Sequence, residues 1–516
     1  MKPLLSCEAA ADLDRDVQVR MKLPAGTLME VAALRLWEVL APLAEELGAG
    51  SSGPLTALCG AGNNAGDALA LLRQAWFSGR RNLAVVLGRS SPGDLASLHL
   101  ESLRALGVRI LAWDSEEEEC RLLMGQSRLL LDGIAGTGLR GPLRDPLASL
   151  VGAALASGAA SAAVDIPSGL FEGWKQGDPL LPARWTLAIE PMKRLLFFPR
   201  LRGLCGKILR VSGVFPVDEP GRCETLLLEA GDLPDLVPPS APDAHKGSRG
   251  RVAVFAGALG STGAASMASQ AALAAGAGLV SLFAAAEILP ILSAKLDAVM
   301  VKPLPSEEEL SSGPRWDAIL AGPGWGTSDA NRVLLMRLLA LGKPTVLDAD
   351  ALSLYASLRD EGFVPKGRLI LTPHPGELAR LAGIEAEAAL GNPPALLPAI
   401  AERCAALIIF KSHCTWIATP EGELSVWEGL ESALATAGSG DVLAGVVAGL
   451  LGTAAAASRD ALSVETAYKC ARGAVICHGR AGHRARAANG WFQAPALIDE
   501  VGRILGSILP AEPGLH

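Results

Sequence analysis

The chain has 516 residues, enough for two or three hydrophobic cores rather than one. Half of it is apolar but only 4% is aromatic, with 57 glycines, a composition of closely packed α/β layers that argues against disorder. A formal charge of -8 disfavours a nucleic-acid binder, which normally carries a basic face, and nine scattered cysteines without a CxxC pair suggest neither a disulfide framework nor a thiolate zinc site.

The amino terminus, MKPLLSCEAAADLDRDVQ, turns acidic too soon for a signal peptide, so a cytoplasmic protein is expected. A βαβ rhythm then begins: strand Gly53–Cys59, helix Ala65–Ser78 and strand Leu83–Leu87, followed by strands at Arg128–Leu131, Ala162–Ile166, Thr186–Ile189 and Lys207–Val211. Most of these strands are apolar without alternation, which predicts burial on both faces and a mostly parallel sheet under helices. The Pro-rich, acidic stretch FPVDEPGRCETLLLEAGDLPDLVPPSAPDAH marks a boundary near Pro220, giving domains 1–220 and 221–516, with a short strand at Glu224–Glu229.

The second half restarts the rhythm. Strands are predicted at Val252–Ala256, Leu279–Phe283, Ala318–Ala321, Thr345–Leu347, Arg368–Leu371 and Leu407–Phe410. Helices are predicted at Gly263–Ala275 and Val333–Leu341, a hairpin at Thr415–Ala418 and Glu423–Trp427, and two closing helices at Asp441–Leu451 and Ala461–Arg480. Gly263–Gly278 comes nearest to membrane character, but its Gly, Ala and Ser content suits a core helix, so no membrane partner is expected.

Chemistry-bearing residues cluster where strands hand over to glycine-rich turns. In AGSGDVLAG, Gly438 to Gly440 permit close backbone approach and the helix start favours an anion, yet Asp441 stands among them. Asp441 is either a helix cap or a general base beside a transferring phosphoryl group. AGPGWG and the Pro-His-Pro turn of LTPHPGELARL follow strands in the same way, and Lys411 ends a buried strand where its charge needs a partner. In the first half CGAGNNAGD follows a strand and sets Asp67 at a helix opening, where it could be a cap, and DGIAGTGLRGP and VDIPSGL put Asp132, Asp165 and Ser168 at strand carboxyl ends, where open α/β sheets hold ligands. None is a GxGxxG or P-loop, which excludes a P-loop nucleoside triphosphatase.

In order and spacing, HKGSRGRVAVFAG, GSTGAASMASQAALAAGAGLV, AGPGWG, VLDADAL, LTPHPGELARL, IIFKSHCTWIA and AGSGDVLAG resemble the ADP-dependent NAD(P)H-hydrate dehydratase domain. The resemblance implies a ribokinase-like fold that converts (6S)-NADHX or NADPHX to the reduced nucleotide, using ADP, with Mg2+ accompanying it, and releasing AMP and phosphate. It implies Asp441 as base and substrate ligand, with Ala264, Gly326 and His374 also contacting the hydrate. Gly440 and the loop Lys411, Ser412, His413, Cys414 and Thr415 would hold the nucleotide, with Ser412 replacing a usual glycine and ATAGSG an altered lead.

GNNAGD, DGIAGTGL, DIPSG and, less closely, LMEVAA resemble the NAD(P)H-hydrate epimerase domain, a Rossmann-like three-layer αβα fold. That resemblance implies a substrate held by Asn63, Asn64, Ala65, Gly66 and Asp67 and by Gly136, Thr137, Gly138, Leu139, Arg140, Gly141 and Pro142. Asp165 would be the acid/base group touching substrate, and Asn64, Asp132 and Ser168 side-chain ligands of a potassium ion, whose hardness suits oxygen donors. Ala33, Ala65, Ala68 and Ala135 depart from the pattern. The expected product is a bifunctional repair enzyme, assembled as a homo-oligomer. Two rivals stand beside it: a ribokinase-like kinase of a small alcohol, and a first half that is a non-catalytic binding module.

Overall fold

The computed structural model describes residues 1–89, 93–216, 225–241, 243–313, 315–458 and 461–508. It divides into two compact units, Pro3–Thr225 and Leu226–His516 with Met1–Lys2. Pro220, where the composition changes, lies outside the described residues.

The first unit is built on seven strands: β1 (Leu55–Cys59), β2 (Leu83–Leu87), β3 (Arg109–Ala112), β4 (Leu129–Gly133), β5 (Ala160–Val164), β6 (Trp185–Ile189) and β7 (Lys207–Val211). All pair in parallel in the order β3-β2-β1-β4-β5-β6-β7. β1, β2, β4 and β6 are buried at every position, as strands covered on both faces must be. β3 has no counterpart in the sequence reading because it is a half-exposed edge strand, RILA, without an apolar run. The order reverses between β1 and β4, so their carboxyl ends diverge and open a crevice there.

The second unit carries β8 (Arg251–Phe255), β9 (Leu279–Ala284), β10 (Met300–Pro303), β11 (Ala318–Ala321), β12 (Thr345–Leu347), β13 (Leu369–Leu371) and β14 (Leu407–Phe410), parallel in the order β10-β9-β8-β11-β12-β13-β14. The hairpin β15 (Cys414–Ala418) and β16 (Leu424–Glu428) continues it antiparallel. Again the reversal, between β8 and β11, opens a crevice. β10 went unforeseen for the same reason as β3: its face is exposed. The closing region holds three helices, Ser439–Ala457, Val464–Asn489 and Pro495–Gly506, where two were expected.

Small residues set the geometry around that crevice. Helix Ser439–Ala457 crosses helix Thr262–Ala274 so closely that a Cβ on Gly445 would stand 2.2 Å from the Ala268 carbonyl, and one on Gly449 2.5 Å from that of Ala272. The glycines are therefore packing residues, and they fix the start of one helix against the start of the other. Among the described residues Ser439–Ala457 is the helix long and apolar enough to cross a membrane; 67% of it is buried in this packing. Every described cysteine is free and buried.

Candidate active sites

In the first unit the loops after β1, β4 and β5 meet. Helix Asn63–Phe77 starts directly after β1, and its Asn64 Nδ2 donates to the Ala135 carbonyl at 3.2 Å. Asp132, fully buried at the end of β4, accepts from the Ser168 N–H at 2.7 Å and the Ile134 N–H at 3.3 Å. Ser168 Oγ in turn accepts from the Ala135 N–H and donates to its carbonyl, at 2.8 and 2.9 Å. Asn64 and Ser168 thus meet at Ala135, and Asp132 is tied to the same loops through the Ser168 and Ile134 N–H groups. Among the described residues no cation pairs with Asp132, and burial pushes its pKa up to about 6 despite these hydrogen bonds. A buried carboxylate with a hydroxyl and an amide beside it is an oxygen-rich set that fits a hard cation. No described cluster of His, Cys, Asp and Glu suits a transition metal.

Asp165 has φ of 65°, in the left-handed region, and the Ile166 N–H donates to the Val164 carbonyl across it at 2.8 Å. That is the positive-φ γ-turn, a strained form that persists only where its surroundings enforce it. The turn aims the Asp165 carboxylate back at the sheet, where Lys193 Nζ (2.7 Å) and the Ile189 N–H (3.1 Å) donate to it. Lys193 is itself buried and was missed in the sequence; a lone lysine in the apolar run MKRLLFF was the available signal. Asp67 lies close enough to feel both: burial first, then the Asp165 charge, raise its pKa to about 8, with Lys193 opposing. The shift favours the protonated form of Asp67, which can donate to an anion.

The remaining loop residues divide. Asn63, Gly138, Arg140 and Pro142 are exposed, and Gly136, Thr137, Leu139 and Gly141 partly so. Ala65 and Ala68 sit in the hydrophobic core and the Ala65 N–H is bonded to the Gly62 carbonyl, so those alanines face away from the crevice. Gly66 is buried against Met29.

In the second unit, Asp348, buried at the end of β12, accepts from Lys411 Nζ at 2.6 Å and from Thr372 Oγ1 at 2.7 Å. This is the partner that the Lys411 charge requires, and it is a protein carboxylate. Lys411 Nζ also lies 3.3 Å from where a Cβ of Gly440 would be, so the lysine borders the Gly438–Asp441 turn. Gly438 has φ of 90°, and a Cβ there would strike Met267. The first-turn N–H groups of Gly440 and Asp441 have no intrahelical acceptor and face outward for an anion. Asp441 has a pKa raised to about 6 by burial and then by Asp348, with Lys411 lowering it. It is ionised at neutral pH yet basic enough to take a proton.

The other side of this crevice is braced. Ser261 Oγ, beside the helix carrying Ala264, donates to the Gly324 carbonyl at 2.7 Å, and the Gly326 N–H donates to Asp350 at 2.8 Å. His374 caps helix Pro375–Ala382: its Nδ1 accepts from the Gly376 N–H at 3.0 Å, leaving the exposed Nε2 edge beside Glu377. In the loop after β14, Ser412 Oγ donates to the Cys414 carbonyl and accepts from its N–H. Thr415 Oγ1 donates to the Ser412 carbonyl, so a serine in place of glycine ties this turn together. Two open grooves of about 390 and 380 Å³ lie at the amino ends of the strands, near Arg128 and Lys366, away from all these loops.

Residues 252–503 match the family described as NAD(P)H-hydrate dehydratase, and residues 25–195 the family described as YjeF-related protein N-terminus. The bifunctional NAD(P)H-hydrate repair enzyme of Gloeobacter violaceus is 32% identical over 83% of this chain and 85% of its own. That of Moorella thermoacetica is 30% identical over 98% of this chain and 97% of its own. A crystal structure of the ADP/ATP-dependent NAD(P)H-hydrate dehydratase of Bacillus subtilis, co-crystallised with ATP and Mg2+, is 23% identical, covering 55% of this chain and 98% of that one with a TM-score of 0.48. With identity of 30% or more running through both units at nearly full length, the chain belongs to the bifunctional NAD(P)H-hydrate repair enzyme family.

Proposed function

We propose that the first unit interconverts (6R)- and (6S)-NAD(P)HX and that the second dehydrates the S epimer to NAD(P)H, consuming ADP and releasing AMP and phosphate. The observation that carries the reading is Asp441: a half-buried carboxylate in the first turn of a glycine-opened helix, whose start is bordered by Lys411. Hydroxide is a poor leaving group and phosphate a good one. Asp441 takes the C6 hydroxyl proton as the hydroxyl oxygen attacks the β-phosphoryl group of ADP, and the P–O bond to AMP breaks. The Gly440 and Asp441 N–H groups and Lys411 stabilise the charge on the transferring group. The C6–O bond of the phosphate ester then breaks, phosphate leaving with its electrons under the push of the ring nitrogen, and loss of the C5 proton restores the double bond. Two carboxylates, Asp348 and Asp441, against one ammonium leave local negative charge that would suit a Mg2+-bound nucleotide, with Asp348 the carboxylate that would face the ion.

In the first unit Asp165 is the acid/base group at C6, and protonated Asp67 with Arg140 holds the pyrophosphate. Asn64, Asp132 and Ser168 hold potassium, which supplies the positive charge that Asp132 otherwise lacks. A scaffold would need neither the strained turn under Asp165 nor the Asn64–Asp132–Ser168 convergence, which disfavours the binding-module rival. The kinase rival shares the Gly-Ser-Gly-Asp ending but not the first unit.

The pH profile of dehydration tests the base. Activity should fall below about pH 6 with unit slope, as Asp441 takes up a proton. Asp348→Asn removes the like charge that raises Asp441, so its acid limb should move to lower pH; an unmoved limb contradicts the assignment. Potassium has its own test. The raised pKa of Asp132 means the folded state holds that proton more tightly, so its contribution to stability is full below the ordinary carboxylate pKa and lost as pH rises through about 6. Potassium should offset that loss, raising Tm by roughly 2–5 °C at pH 7.5 and far less at pH 5. Asp132→Asn should remove the difference; equal Tm with potassium and with tetramethylammonium at pH 7.5 would refute the site.

A further inference from the structure

His478 lies on helix Val464–Asn489, behind the Gly438–Asp441 turn, and no part of the sequence pattern drew attention to it. Its Nε2 is 3.0 Å from the Ser439 carbonyl oxygen and 3.1 Å from Ser439 Oγ. A carbonyl can only accept, so Nε2 carries the proton and the neutral ring keeps its lone pair on Nδ1. Burial, and secondarily the Lys411 charge, lower the imidazole pKa to about 4, against the opposing pull of the Ser439 carbonyl. The ring therefore stays neutral through the working pH range.

The helix cannot drift from this contact. A Cβ on Gly479 would lie 2.2 Å from Trp427 Nε1, and one on Gly482 2.7 Å from Leu434, so the glycines press the helix against β16 and the turn after it. His478 is thus held at a fixed reach, and Ser439 is the residue it grips. Ser439 begins the helix whose next two residues are Gly440 and Asp441. Its Oγ and its carbonyl both face His478 Nε2.

We propose that His478 is a positioning residue for dehydration: by holding Ser439 through Nε2 it sets where the Gly440 and Asp441 N–H groups and the Asp441 carboxylate point. The proposal rests on Asp441 being the base. It differs from a packing role because it depends on one N–H donor rather than on volume. An error of about 1 Å at a reacting group can cost about 100-fold in rate while leaving the ligand bound.

The test measures kcat, KM for ADP and Tm for the full chain with (6S)-NADHX and ADP, comparing His478→Leu, His478→Gln, His478→Asn and Asp441→Asn. His478→Leu keeps the bulk and loses the donor, so kcat should fall about 10- to 100-fold with a much smaller change in KM. His478→Gln places an amide N–H near the same point and should recover kcat to within about 5-fold of the parent protein, on the same scale of misplacement. His478→Asn, whose amide falls short of Ser439, should behave like His478→Leu and decides the matter if the leucine variant does not fold. Parental kcat in the variants lacking the donor, or equal loss in the glutamine and asparagine variants, would overturn the proposal. If Asp441→Asn is inactive while His478→Asn keeps parental kcat, the positioning role alone fails. Undiminished turnover by Asp441→Asn would remove the base, and this inference with it.

Discussion

Asp441→Asn should lower kcat for (6S)-NADHX about 1,000-fold while ADP still binds, the usual scale for losing a general base. The substitution keeps the size of the side chain and the helix start. It also removes a partly buried charge that burial and Asp348 already disfavour, so Tm should stay level or rise. A cap role predicts the opposite pattern, with activity largely retained. Isothermal titration with ADP beside a single-turnover assay separates the two, and retained turnover with reduced Tm would return Asp441 to capping.

Asp165→Asn should abolish epimerisation and leave dehydration of the S epimer intact. With a racemised NADHX pool only the S share should convert promptly, the remainder following at the uncatalysed rate of epimerisation. The variant carries a stability cost, because Lys193, 5% exposed, loses the carboxylate that neutralises it. The potassium-dependent rise in Tm is the control for folding, since Asp132 and Ser168 are untouched. If that rise persists and the R epimer is still consumed at the parental rate, Asp165 is not the acid/base group.

Much of this arrangement was legible in the sequence. Buried parallel strands announce themselves as apolar runs, and β2, β7, β11, β12 and β14 fall on the residues expected. The loops that carry Asp132, Asp165, Ser168 and Asp441 were visible because glycine and proline punctuate strand ends in any open α/β sheet. The edge strands β3 and β10 were not, since exposure removes the apolar pattern. Nor were the partners: Lys193 for Asp165, Asp348 for Lys411, Thr372 for Asp348, and His478 for Ser439 are each brought together by folding from 24 to 63 residues away. Sequence spacing carries no information about such pairs.

The partners also changed what the acidic residues mean. Asp67 and Asp441 both follow glycine-rich turns, Asp441 in the first turn of its helix and Asp67 in the second, and their surroundings raise their pKa values by different amounts. Burial and then Asp165 raise the pKa of Asp67 to about 8; burial and then Asp348 raise that of Asp441 to about 6, with Lys411 lowering it. On the proposed function, similar turns serve binding in one unit and chemistry in the other.

The most direct test of the whole account is to incubate the purified chain with a known mixture of (6R)- and (6S)-NADHX, ADP, Mg2+ and potassium, following NADH absorbance and counting AMP. Conversion of the entire NADHX pool to NADH, with one AMP and one phosphate formed per NADH, is the predicted result. No NADH, or NADH formed without consumption of ADP, would contradict it.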